Sequence, residues 1–306
     1  MVDAIVSFLA ADIRTAVPIL LAALGYIFSE RAGMVNIGAE GTMLIGALAG
    51  VVGSYLTSSV WLGALVSMFF GALISLLFAY LTITVKAEQI VVGAAINIMG
   101  LGLTTFVARI IFGVNTPPPK IESFASVLVP GLAKIPLIGP VLFQQSALVY
   151  ITLLLVPLAH FVLFKTKIGL EIRAVGEHPK ACDTVGINVN KLRYGSVIFS
   201  GLLAGLAGSY VSIGLLNFFT ENMIAGRGFS ALAAVIFGNF SPLGALGASL
   251  LFGAGDALQF RLQASGSQIP FPFLLMVPYI LTILALTGFV RKSKAPAASG
   301  VPYSKE

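Results

Sequence analysis

The sequence predicts an all-α fold, a polytopic transmembrane helical bundle of about nine spans within a range of eight to ten, on three observations. Of its 306 residues, 58% are hydrophobic and 10% charged, where a globular chain carries about 25% charged residues, so the bulk of the chain cannot face water. Apolar stretches follow one another back to back, each near the length of about 20 residues that a helix needs to cross a hydrocarbon core. Runs such as Leu65 to Leu81 and Ile151 to Val156 are apolar but for isolated hydroxyls, which excludes the alternation expected of transmembrane strands.

The first span, near 13–29, follows a stretch from Met1 to Ala11 that reads either as an interfacial helix or as part of an additional span. That stretch lacks the cationic start of a secretory signal, so nothing is read as cleaved. The second span, near 42–58, carries Gly46, Gly50 and Gly53, a spacing that puts small residues on one helix face and lets neighbouring backbones approach. The third, near 60–83, ends before Lys86, and the fourth, near 89–112, contains Asn97 and ends by Arg109, which snorkels to the interface. A longer loop, Asn115 to Gln145, leads to the fifth span, near 146–164. A basic loop from Lys165 to Arg193 precedes the sixth, near 194–214, where Gly201, Gly205 and Gly208 repeat the packing face. Spans seven, eight and nine lie near 224–240, 243–261 and 271–290. Residues 1–290 thus form one transmembrane domain, and the tail 291–306, rich in Ala, Ser, Pro and Lys, reads as a disordered extension that is removable with little loss.

Lys165, Lys167, Arg173, Lys180, Lys191 and Arg193 in the basic loop, and Arg291, Lys292, Lys294 and Lys305 in the tail, place both on the cytoplasmic side. Counting back, the Lys86 and Glu30-Arg31 connections are cytoplasmic, and the Asn115 to Gln145 loop and the N-terminus external. The net charge of +6 is accounted for by these loops, so no nucleic-acid partner is expected. A single cysteine, Cys182, excludes an internal disulfide and a CxxC site. His160 and His178 are too few and too far apart for a metal site. The run Leu62-Gly63-Ala64-Leu65 with Phe70-Gly71-Ala72 recurs as Leu243-Gly244-Ala245-Leu246 with Phe252-Gly253-Ala254. It is either a chance match between small-residue helices or the trace of an inverted repeat, which would put a transport path between the halves.

Within the basic loop, Pro179 suits the first turn of a short helix, Ala181 to Val185 continue it, and Gly186 supplies positive φ past its end. The loop pattern G-x-x-x-R-A-V-G-x-x-P-x-A followed by G-I resembles the cytoplasmic coupling segment of ABC permeases that import branched-chain amino acids, ribose and nucleosides. Read without that resemblance, the loop is a solvated connection whose charges fix topology. Two further segments are similar to motifs of the nucleoside-type members: an early one, Ser29 to Gly41, and a late one, Gly226 to Gly238. Ala39 stands where a larger apolar residue is expected and Ser230 where Ile is expected. The resemblance implies a permease subunit in the cell membrane and no enzyme, moving nucleosides by alternating access. It implies that Gly169, Arg173, Ala174, Gly176, Glu177, Pro179, Ala181 and Gly186 meet an ABC ATPase subunit. It further implies a second homologous permease and a lipid-anchored substrate-binding protein as partners. The chain has no G-x-x-x-x-G-K-[ST] sequence, so ATP and Mg belong to the partner, with no cofactor here.

Polar residues inside spans are the candidates for the substrate path, because ionisable groups there face protein or a wet cavity. Asn36 and Glu40 are spaced to share a helix face, as are Asp256 and Gln259. Asn36, Asn97, Asp256 and Gln259 are therefore expected to line the path, with Phe218 and Phe229 as aromatic neighbours for a flat base. The structural alternatives are pairing of Glu40 with Arg31 and of Asp256 with Arg261, while Arg227 would meet a docked binding protein or pair with Glu221. Rival functions keep the fold with a sugar or branched-chain amino acid as cargo, or make Glu40 and Asp256 the ion carriers of a secondary transporter. An intramembrane enzyme is not supported, since no HExxH or G-x-S-x-G occurs.

Overall fold

The computed structural model describes residues 2–114, 118–128, 138–264 and 294–304, with the isolated residues Phe273, Met276 and Ile280. Helices dominate, because a chain this apolar satisfies its backbone polar groups in hydrocarbon by bonding them within each segment. In order they are α1 (Val2–Arg31), α2 (Ala39–Thr57), α3 (Val60–Ala79), α4 (Gln89–Phe112), α5 (Ile138–Leu142), α6 (Ala147–Lys165), α7 (Lys167–Glu177), α8 (Pro179–Thr184), α9 (Val189–Ser209), α10 (Arg227–Phe237) and α11 (Pro242–Ala264). Wider π turns extend α3 through Tyr80–Thr84 and α9 through Tyr210–Leu216. A two-stranded antiparallel ribbon pairs β1 (Ser126–Leu128) with β2 (Gln144–Ser146), Val127 opposite Gln145. Polar residues start several helices: Glu88 accepts from the Ile90 and Val91 N–H groups, Thr166 from Gly169 N–H and Asn188 from Lys191 N–H.

Among the described residues, seven helices are long and apolar enough to cross a membrane: α1, α2, α3 with its π turn, α4, α6, α9 with its π turn, and α11. The span expected at 224–240 is not among these seven. That stretch is apolar enough to look like a span, but only the 11 residues of α10 are helical, about 16 Å of rise. The approach to it is irregular, with positive φ at Asn217, Asn222, Ala225 and Gly226. The expected span at 271–290 lies, apart from three isolated residues, outside the described residues.

Helices α1 and α9 pack on each other at the centre, with α1 also against α10 and α11 and α9 against α2 and α3. Small residues permit this closeness: a Cβ on Gly46 would lie 2.6 Å from the Gly205 Cα, and one on Gly50 2.8 Å from the Ser209 Cβ. The outer faces of α3, α4 and α6 show large apolar side chains, among them Phe69, Ile98 and Leu154. That pattern suits hydrocarbon or another membrane chain.

One end of the bundle gathers Arg31, the start of α4, α7, α8, the start of α9 and the α10–α11 junction. Residues 294–304, the described part of the tail 291–306, are laid across this end. Ala298 N–H donates to Gly176 O at 2.9 Å and Gly300 N–H to Gly33 O at 3.1 Å, and Ala298 is buried. The opposite end carries the β ribbon, the Phe112 end of α4, and Asn217, whose carbonyl accepts from Ile121 N–H.

Candidate functional site

The early and late motifs, distant in sequence, meet inside the bundle. Gly226 has φ +87 and turns the chain into α10, leaving the first N–H groups of that helix without helical acceptors. The Glu40 carboxylate takes them: Oε1 accepts from Gly226 N–H at 2.7 Å and Oε2 from Gly228 N–H at 2.8 Å. A carboxylate here also faces the positive end of the helix dipole. Only glycine fits at 228, since a Cβ would sit 2.5 Å from the Glu40 nitrogen. Glu40 itself lies at the first turn of α2, whose own N-terminus is held from α4: Asn97 Oδ1 accepts from Gly41 N–H at 2.8 Å and Asn97 Nδ2 donates to Ile37 O at 2.9 Å. Asn97 is about 12 Å along α4 from Gln89, so two helix N-termini converge well within the bundle rather than at its surface.

Arg227 completes the junction. Its Nη2 lies 3.5 Å from Asp256 Oδ2 on α11, and its Nη1 donates to Ile224 O at 3.1 Å. Both charged side chains are largely shielded. Glu40 therefore grips α10 rather than Arg31, whose Nε donates to Phe240 O at 2.9 Å. Glu221 pairs with Arg109 at 2.8 Å instead of with Arg227, and that hydrogen bond holds its carboxyl below the ordinary glutamate range.

The candidate path residues separate into two groups. Asn97 and Asp256 belong to the junction. Asn36 is buried beneath it, its Oδ1 accepting from Gly38 N–H at 2.9 Å in a local turn. Gln259 is half-buried about one turn beyond Asp256 on α11, Phe229 is exposed on the first turn of α10, and Phe218 is half-buried after the α9 π turn. The interlocking of Glu40 with Gly226 and Gly228 was not legible from spacing; the only sequence signal was that both segments resembled motifs of one family.

In the basic loop the structure shows α7 and α8. Pro179 occupies the first turn of α8, and Gly186, at φ +85, follows its end. Of the residues expected to meet a partner, Gly169 and Gly176 face inward: a Cβ on Gly169 would strike Val162 O, and one on Gly176 would strike Arg31 O. Arg173 lies over the Phe164 ring at 5.1 Å, and Ala174 packs beside the buried Val175, Cys182 and Val189. Glu177, Ala181 and Gly186 are exposed and Pro179 is half-exposed. Burial pushes the Cys182 thiol up, leaving it a packing group rather than a reactive one.

The family described as branched-chain amino acid transport system / permease component matches residues 9–286. The guanosine ABC transporter permease protein NupQ of Bacillus subtilis (strain 168) is 45% identical, covering 96% of this chain and 95% of that protein. The nucleoside ABC transporter permease protein NupC of Lactococcus lactis subsp. cremoris (strain MG1363) is 38% identical over 94% of this chain and 93% of that protein. A putative glucose ABC transporter permease protein, TsgC13 of Haloferax volcanii, is 40% identical over 83% of this chain and 77% of that protein. No solved structure matches.

Proposed function

The chain belongs to the branched-chain amino acid transport system permease component family, and from that premise we propose that it is the membrane permease subunit of an ATP-driven nucleoside importer. The observation that carries the cargo is the end-to-end similarity to permeases named for guanosine and for nucleosides, at 45% and 38% identity. The work of the chain is to change shape around a cargo, so it performs no bond chemistry. ATP and Mg are handled by a partner ATPase that pushes on α7 and α8. A second homologous permease completes the path, and a lipid-anchored binding protein delivers the nucleoside on the far side. The end of the bundle bearing α7, α8 and residues 294–304 is assigned to the cytoplasm, in keeping with its lysines and arginines.

An inverted arrangement of the halves also belongs to this reading. Exchange of α1 with α9, α2 with α10 and α3 with α11 maps the packing of α1 on α10 and α11 onto that of α9 on α2 and α3. The same exchange brings together the two N-termini that meet at Glu40. A bundle that rocks about that junction would expose it to the two sides alternately.

A sugar as cargo is the second reading, favoured by the 40% identity to the putative glucose permease. Uptake of labelled guanosine and uridine by cells with and without the gene, before and after ATP depletion, tests both, with unlabelled glucose, ribose and leucine as competitors. Gene- and ATP-dependent nucleoside uptake that the three competitors leave unchanged is the expected result. Loss of sugar uptake alone would replace the cargo, and uptake that survives ATP depletion would remove the ATPase from the scheme.

A further inference from the structure

Residues 294–304 contain little that ordinarily holds a chain in place: no large aliphatic side chain except Val301, and small residues at 295, 297, 298, 299 and 300. Their attachment is made through backbone groups. Ala298 N–H bonds to Gly176 O on α7, Gly300 N–H to Gly33 O in the α1–α2 elbow, and Val301 O accepts from Arg193 Nη1 on α9 at 3.1 Å. A fourth bond runs from Ala297 N–H to Glu177 Oε2 at 3.3 Å. Gly33 has φ +81, and a Cβ there would meet Ala298 O at 3.0 Å, so the elbow is shaped to receive this segment. Tyr303 adds a side chain against the Val175, Cys182 and Val189 cluster.

Arg193 heads the largest fully buried side chains, at 1% exposure, and its Nε and Nη2 have no hydrogen-bond partner among the described residues. A buried guanidinium that gives one hydrogen bond to a carbonyl depends strongly on that carbonyl. The three elements joined here are α7, α9 and the elbow, and the elbow leads within a few residues to Glu40 and its grip on α10.

We propose that residues 294–304 are a strap that makes α7 and the α1–α2 elbow move as one body, with Arg193 as the positioning residue that anchors it. This rests on the permease reading, in which α7 receives the ATPase stroke; the strap then passes that stroke to the junction where the early and late motifs interlock. Without it, α7 would shift against the elbow, and hydrolysis would proceed without moving cargo.

The test uses the whole transporter, with its ATPase and second permease, in membrane vesicles, reading subunit copurification, ATP hydrolysis and nucleoside moved per ATP. Three variants carry it: deletion of 294–306, Arg193→Leu and Gly300→Pro. Gly300 is exposed at φ +73, which proline cannot adopt, so its substitution removes one strap bond and displaces the strap backbone without touching the bundle interior. All three are expected to keep the subunits together and hydrolysis within about twofold, while cargo per ATP falls at least about tenfold. Arg193→Lys, which retains a donor for Val301 O, is expected to keep most of the transport. Unchanged cargo per ATP in Gly300→Pro and the deletion would overturn the strap, as would loss of the ATPase from both, which would make these residues a docking surface. Failure of the unaltered chain to hold an ATPase at all would instead remove the permease reading.

Discussion

Glu40 illustrates how much a single side chain holds in place. Its two oxygens serve Gly226 and Gly228, so Glu40→Ala leaves two shielded donors without acceptors, at a cost of about 3 kcal/mol. Glu40→Gln keeps one acceptor but turns an NH2 toward the other N–H. Thermal unfolding in detergent is expected to rank the unaltered protein above Gln and Gln above Ala, with nucleoside uptake falling in the same order. Equal midpoints for Ala and the unaltered chain would show that Glu40 does not hold α10. Sequence alone identified the residue as unusual, because a carboxylate in an apolar stretch needs a reason. It could not identify the partner, since backbone N–H groups exposed by an irregular approach leave no mark on residue spacing. The same blindness applied to Arg193, which reads as one more loop cation until Val301 O is seen against it.

At the scale of helices, the legible part was the small-residue face. Gly46, Gly50, Gly201, Gly205 and Gly208 recur at helical spacing and do sit at close crossings, Gly46 against Gly205 and Gly50 against Ser209. Gly205→Val places a branched side chain against Ser67 and Gly71 of α3 and should cost about 1–3 kcal/mol. Gly102→Ala on α4, where an added Cβ meets nothing within 4 Å, should be neutral or gain about 0.5 kcal/mol. Paired melting curves of the two variants check this, and equal losses would refute the assignment of the seam. The length of α10 was not legible: hydropathy integrates over Phe237, Ile236 and Val235 without registering that the residues before Arg227 take left-handed backbone angles. Nor was the placement of 294–304, which is bonded chiefly through its own backbone, by N–H groups to Gly176 O and Gly33 O and by Val301 O to Arg193.

For the molecule as a whole, the two ends are chemically distinct. One bears α7 and α8, flanked by Lys165, Lys191 and Arg193, and the other bears the β ribbon and the exposed Arg109–Glu221 pair. If the first end is cytoplasmic, cysteine replacing Lys120 is labelled in intact cells by a membrane-impermeant thiol reagent, whereas cysteine replacing Lys180 is labelled only after permeabilisation. Both positions are exposed, and the reverse pattern would invert the molecule. The strap across the basic end has one more consequence, in the order of biosynthesis. Ribosomes release a chain from its N-terminus onward, so residues 294–304 follow every described helix into the world. Until they arrive, Gly33, Gly176 and Arg193 stand open, and a product cut short by a premature stop never closes them. A chain that carries the strap thus differs from one cut short before it at the surface where quality control and assembly would meet it.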